Sequence, residues 1–181
     1  MEIITGSSGF VGSNLSPYLE KKHKKVLGVS RSPNEGEVEY KKINITLLNN
    51  SNSCIHLAGK AHDLKKTSED KDYYEVNTEL TKSLFDQFLK STCKVFIYMS
   101  SVKAVADVVQ SVLIEDTIPN PITVYGKSKL AAEIYILSKE IPGNKRVYIL
   151  RPCMIHGPNN KGNLNLLYSF VSKGIPYPFG K

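Results

Sequence analysis

Apolar positions along this chain fall into short runs that alternate with helical stripes. Residues 1–4 form an apolar strand that starts almost at the first residue, and Val11, Leu15 and Leu19 then recur on one helical face. Residues 25–29 (KVLGV) make a second short strand, followed by the polar turn SRSPNEGE. The pattern predicts a third strand over 38–43, the polar stretch NITLLNNSNS, and then a fourth apolar run, CIHLAG. Val76, Leu80, Leu84 and Phe88, spaced by four, predict a long amphipathic helix over 73–90. A buried strand over 94–99 (KVFIYM) precedes an irregular stretch, 102–124, that carries two of the prolines. A helix over 124–139, a strand over 146–150 and a short helix over 164–172 complete the series, with no internal repeats and no low-complexity tract.

Strands alternating with helices predict right-handed parallel crossovers. The expected fold is α/β: a Rossmann-type doubly wound parallel sheet with helices on both faces. Such a sheet binds its ligand at the carboxyl ends of the strands, near the point where strand order reverses. The residues at those ends therefore decide what the chain does.

Gly6, Gly9 and Gly12 form G-x-x-G-x-x-G between the first strand and the first helix. This placement suits a dinucleotide: the loop turns tightly, the backbone approaches a pyrophosphate, and the helix N-terminus offers free N–H groups. At the end of the second strand, where such folds often carry an acidic residue for the adenosine ribose, the sequence reads Ser30-Arg31. Arg31 could accept a 2′-phosphate, which favours NADP over NAD, or could be a solvated loop arginine. Tyr125 and Lys129 lie four residues apart at the start of a helix and so share a face, where an ammonium would favour the phenolate needed for hydroxyl–carbonyl chemistry. Ser100-Ser101, at the end of the fifth strand, supplies a hydroxyl for the reacting oxygen.

Composition excludes more than it identifies. Hydrophobic residues make up 41% of the 181 and charged residues 23%, which is globular. No apolar run is long enough to span a membrane, and MEIITGSSG has no basic region followed by an apolar run, so no secretory signal is expected. The net charge of +7 arises from lysines dispersed along the chain, including Lys65, Lys66, Lys82 and Lys90, with no interleaved aromatics, so a nucleic-acid partner is not expected. Cys54, Cys93 and Cys153 sit beside apolar residues and are expected to be buried, reduced thiols in a cytoplasmic protein. His23, His56, His62 and His156 show no metal-ligand spacing, and no metal is expected.

The segments TGSSGFVG, HLAGKAH, YMSSVKAVAD, VYGKSKLAAE and LRPCMIHGP together resemble the extended short-chain dehydrogenase/reductases. Within these the likeness is to the nucleotide-sugar epimerases and dehydratases of the UDP-galactose 4-epimerase kind, and it runs the length of the chain. The resemblance implies tightly held NAD or NADP and a nucleotide-sugar substrate. By position, Gly6, Ser8, Gly9, Phe10, Val11 and Gly12 would cradle the pyrophosphate, while His56, Leu57, Ala58, Gly59 and Lys60 would line the cofactor after the fourth strand. Asn77 and Pro152 match further cofactor positions. Ser101, Tyr125 and Lys129 would be the catalytic set, with Tyr125 the base and Lys129 holding the nicotinamide ribose. Ser101, Lys103, Tyr125, Asn163 and Leu164 would face the substrate. Relatives of this kind dimerise through two helices, here those near 73–90 and 125–139, although those amphipathic faces fit sheet packing equally well.

Three departures qualify the resemblance. The crossover between the third and fourth strands is too short for the usual helix, which is expected to be missing or rudimentary. Met154 stands where many epimerases carry an asparagine that meets the substrate. Relatives also continue well past YPFGK, so the expected organisation is a cofactor-binding domain over 1–160 and the start of a substrate-binding region over 161–181, with exposed apolar surface where the remainder would dock. Epimerisation through a 4-keto sugar is the leading expectation. A ketosugar reductase, a dehydratase and a non-catalytic dinucleotide binder are the alternatives.

Overall fold

The computed structural model of the chain describes residues 1–61, 69–109, 112–160 and 163–174, and the side chains of 163–167 are outside that description. Six strands form one sheet: β1 (Glu2–Thr5), β2 (Val26–Ser30), β3 (Val38–Glu39), β4 (Ser53–His56), β5 (Val95–Met99) and β6 (Arg146–Leu150). Their order is β3-β2-β1-β4-β5-β6 and every pairing is parallel. This is the doubly wound Rossmann order, with its reversal between β1 and β4. The helices are α1 (Phe10–Lys21), α2 (Ile45–Asn49), α3 (Asp70–Tyr74), α4 (Leu80–Lys90), α5 (Val124–Leu137) and α6 (Asn163–Ser172).

The core on one face follows from the alternation of strand residues. Ile3, Cys54 and Phe96 project from β1, β4 and β5 against Leu84, Phe85 and Phe88 of α4 and Ala132 and Ile136 of α5. Phe85, Phe88 and Phe96 form one aromatic cluster with ring centroids 5.1–5.8 Å apart. Lys145, just before β6, is buried beside them and donates to the carbonyls of Phe88, Ser91 and Cys93 at 2.6–2.9 Å. Its ammonium thus caps the C-terminus of α4, where unpaired carbonyls and the negative end of the helix dipole meet.

Several expectations change. The third strand stops at Glu39, because only Val29 and Ser30 of β2 are left to pair with it, and residues Tyr40–Lys42 turn into a 3-10 helix. The short crossover holds only the rudimentary helix that its length allows, the five-residue α2, whose N-cap Asn44 accepts from the Leu47 N–H at 2.9 Å. The long helix starts earlier than expected, at Asp70, and a π-turn over Glu75–Glu79 joins α3 to α4. Cys54 and Cys93 are buried, but Cys153 is exposed, since it follows β6 where the chain leaves the sheet. Tyr148, Leu150 and Met154 are likewise about half exposed on and after β6. Among the described residues no helix is long and apolar enough to cross a membrane.

Candidate active site at the switch point

β1 ends at Thr5 and the chain turns at Gly6, which has φ +71°, a conformation glycine adopts without strain. A side chain on Gly12 would strike the Gly6 carbonyl and come within 2.7 Å of Ser7 Cα, so only glycine lets α1 start this close to the loop. Ser8 and Gly9 are exposed and Phe10 and Val11 half-buried. Gly9 is the N-cap of α1 but has no side chain to cap it, and the first turn carries no acidic residue. The N–H groups there are open to an anion, and the helix dipole favours one. The Ser7 hydroxyl beside them is buried and has no partner. An open helix start beneath a loop of glycines fits a dinucleotide pyrophosphate.

Across the reversal, β4 delivers Leu57, Ala58 and Gly59 to the same edge of the sheet. His56 does not line this edge as expected. Its ring is fully buried, with Nδ1 2.6 Å from Thr5 Oγ1 and Nε2 2.9 Å from Thr81 Oγ1. Thr81 already donates to the Asn77 carbonyl, so Nε2 carries the proton and Nδ1 accepts from Thr5. Burial, reinforced by the Lys129 charge, pushes the imidazole down to about 3 and keeps it neutral. His56 therefore ties β1 to α4.

Asn77 lies in the π-turn, fully buried, and is a hub. Its Oδ1 accepts from the Lys60 N–H at 2.8 Å, and its Nδ2 donates to the Lys60 carbonyl and to Ser128 Oγ at 3.0 and 2.9 Å. The loop after β4 is thus fixed to α5. The Lys60 side chain is engaged elsewhere, paired with Asp72 at 3.0 Å and lying over the Tyr73 ring.

β5 ends at Met99 and the two serines that follow divide the work. Ser100 donates its hydroxyl to the buried carboxylate of Glu133, which Arg151 also grips through Nε and Nη2 at 2.6–3.1 Å. Ser101 caps a 3-10 turn, accepting the Lys103 N–H at 3.2 Å. The Pro152 carbonyl accepts from Val102 and anchors the same turn. Lys103 itself is exposed.

α5 is held against this turn by two devices. Asp107 accepts from the Ile122 and Thr123 N–H groups and the Thr123 hydroxyl at 2.7–2.9 Å, and Thr123 caps the helix through the Gly126 N–H. Gly126 then packs on the Lys103 carbonyl so closely that a Cβ would collide with it. Tyr125 is consequently half-buried beside Ser101. Burial raises the Tyr125 phenol above its ordinary value and the Ser101 hydroxyl pulls it part of the way back. Lys129 is buried, and its Nζ donates to the Met99 carbonyl at 2.8 Å and lies 4.9 Å from the Tyr98 ring centroid. A Cβ on Gly59 would come within 2.9 Å of this Nζ. Burial pushes Lys129 down to about 8, against the opposing pull of Glu133. The expectation that Lys129 holds the phenol down is not met in this arrangement, because the ammonium is spent on Met99 and the phenol stands above its usual value.

The glycine loop, the loop after β4, Ser101, Tyr125 and Lys129 all meet the carboxyl edge of the sheet beside the switch point. A match to a family model described as NAD dependent epimerase/dehydratase covers residues 3–175. The chain belongs to that family. It is 34% identical over 98% of its length to UDP-glucose 4-epimerase of Vibrio cholerae, spanning 58% of that protein. It is 30% identical over 87% of its length to GDP-6-deoxy-D-mannose reductase of Pseudomonas aeruginosa, spanning 53%. Among solved structures it superposes on MoeE5 in complex with UDP-glucose and NAD with a TM-score of 0.70 and 26% identity, over 82% of this chain and 52% of that one. The chain thus spans about half the length of these family members.

Other expected residues lie elsewhere. Arg31 is exposed and makes no hydrogen bond or ion pair among the described residues. His156 lines an apolar groove with Phe10, Val11 and Tyr18 along α1. His62 and the side chains of Asn163 and Leu164 lie outside the described residues. Among the described residues no three His, Cys, Asp or Glu side chains gather as a metal-binding group. The sequence pattern did not single out Glu133, Arg151 or Glu37.

Proposed function

We propose that the protein is a nucleotide-sugar epimerase that inverts C4 of a UDP-linked sugar through a transient 4-keto intermediate. The observation that carries this reading is the close approach of Gly126 to the Lys103 carbonyl, which sets Tyr125 beside Ser101 at the edge formed by the glycine loop and Gly59. Identity with a UDP-glucose 4-epimerase over nearly the whole chain supports the substrate class. The complex of MoeE5 with NAD supports the cofactor.

Bound at the glycine loop, the dinucleotide would supply a hydride acceptor that gives the hydride back, so none is consumed. Tyr125 would take the proton from the sugar hydroxyl as its phenolate, a form that the positive charge of a bound oxidised dinucleotide would favour, and would later return it. Ser101, beside Tyr125, would donate a hydrogen bond to the reacting oxygen. Lys129, placed against Gly59, holds positive charge at the cofactor edge, and Asn77 fixes the loop that carries Gly59. A homodimer through α4 and α5 belongs to the same reading, supported by the exposed Ile134 and Leu137 on α5.

One second reading has an observation in its favour. Identity with a deoxymannose reductase supports a ketosugar reductase built on the same residues. Incubation with UDP-glucose and a trace of NAD⁺ separates the two. Epimerisation gives UDP-galactose by NMR with no net absorbance change at 340 nm, whereas a reductase acts only on a ketosugar and consumes reduced cofactor stoichiometrically. Tyr125→Phe should abolish turnover while sparing cofactor binding, and unchanged turnover would remove Tyr125 from the mechanism.

A further inference from the structure

The end of β2 lacks an acid at its own positions, yet a carboxylate stands there. Glu37 follows a tight turn in which its N–H donates to the Asn34 carbonyl at 3.0 Å, and Gly36 takes φ +82°. The side chain folds back so that Oε2 accepts from the Asn34 N–H at 2.9 Å and meets the Ser30 hydroxyl at 3.5 Å. The turn thereby fixes the carboxylate from both its backbone and its side chain.

Gly28 shows how closely this carboxylate lies on the sheet. A Cβ on Gly28 would collide with Glu37 Oε1 and come within 3.0 Å of Glu37 Cγ and of Ser7 Cβ. Glycine in the middle of a strand weakens it and often marks a bulge, a bend or a close approach. Here the approaching group is the Glu37 carboxylate, sitting between the last residues of β2 and Ser7 of the glycine loop. Ser7 contributes a buried hydroxyl without a partner at the same place. Tyr40, whose phenol oxygen accepts the Gly6 N–H at 3.0 Å, borders the cluster and feels the charges of both Glu37 and Arg31.

In a Rossmann fold the end of β2 meets the adenosine ribose, and an acid there accepts its hydroxyls. We propose that Glu37, reaching back from the turn before β3, is the residue that receives the adenosine ribose hydroxyls and selects NAD over NADP. This rests on the dinucleotide reading above. A free 2′-hydroxyl donates to the carboxylate, whereas a 2′-phosphate would bring a second negative charge against one already fixed by the turn. Arg31 is exposed and forms no ion pair with Glu37 among the described residues. The inference replaces the NADP preference that Ser30-Arg31 suggests in the sequence.

The test is calorimetric titration of the 181-residue chain with NAD⁺ and with NADP⁺, repeated on Glu37→Gln and Arg31→Ala, each checked for native circular dichroism. NAD⁺ should bind about tenfold tighter or more than NADP⁺. Glu37→Gln should weaken NAD⁺ and narrow the ratio to about threefold, and Arg31→Ala should leave NAD⁺ affinity within about twofold. Equal or tighter binding of NADP⁺ by the unsubstituted chain overturns the role of Glu37 while the dinucleotide reading stands. Equal weakening of both nucleotides in Glu37→Gln also overturns it, since that is what closing a turn alone would give. Failure of the folded chain to bind either nucleotide overturns the dinucleotide reading and this inference together.

Discussion

Arg151→Met removes one partner from a buried ion pair and leaves the other in place. The Glu133 side chain is 1% exposed, and its carboxylate is held by two guanidinium nitrogens at 2.6–3.1 Å and by the Ser100 hydroxyl. Without Arg151 the carboxylate keeps the Ser100 hydroxyl and the more distant Lys129 charge, but no ion-pair partner in contact. Breaking a fully buried pair costs about 3–5 kcal/mol, and the partly exposed Arg151 puts this loss at the lower end, about 3 kcal/mol. For a chain of this size the loss corresponds to a fall in Tm of roughly 10 °C. Urea unfolding at neutral pH measures it directly. Glu133→Gln together with Arg151→Met should return most of the stability, since no charge is then stranded. A loss below about 1 kcal/mol for Arg151→Met, or a double variant no better than the single one, would refute the reasoning. Because Glu133 also anchors Ser100, next to Ser101, the single variant should disturb the active site as well.

The remaining predictions concern how α5 and α4 are held. Gly126→Ala should lower turnover about a hundredfold while the fold persists by circular dichroism, because its Cβ pushes Tyr125 away from the serine turn. Lys145→Met should cost about 2–3 kcal/mol in urea unfolding, as three buried carbonyls lose their donor together. At Asp107 burial alone would raise the carboxyl, but hydrogen bonds from Thr123 and Ile122 and the Lys103 charge hold it below its ordinary value. Its contribution to stability is therefore fully present above the unfolded carboxyl value, about pH 4, and is lost as pH falls through the lower folded value. Asp107→Asn should flatten the acid limb of the stability profile, and an unchanged limb would show that Asp107 contributes nothing there.

Local regularities in the sequence made most of the fold legible. The apolar runs found all six strands, the four-residue spacing found α4, and G-x-x-G-x-x-G placed the loop after β1. Tyr125 and Lys129 share a helix face because spacing fixes that, and Ser101 follows a strand whose end was marked by composition. What escaped depends on contacts between distant segments. Nothing local marks Glu133 and Lys145 as buried charges, since each is drawn inward by a partner well removed in sequence. His56 lies next to the cofactor loop in the chain, but strand alternation turns its ring into the core towards Thr81. The third strand ends sooner than the pattern over 38–43 predicts, because Tyr40 begins a 3-10 turn from which its phenol accepts the Gly6 N–H. Glu37 had one trace in the sequence, the glycine inside KVLGVS, which makes sense only once the turn is seen to return over it.

The central claim, transient oxidation at C4, is tested most directly by following an isotope. UDP-glucose carrying deuterium at C4 is incubated with the protein and a trace of NAD⁺, and the product is examined by NMR. The account predicts UDP-galactose with the deuterium still on C4, because the same hydride leaves and returns. Deuterium found at C6 would mean dehydration, and deuterium lost to water would mean chemistry by proton abstraction at carbon; either result contradicts the account.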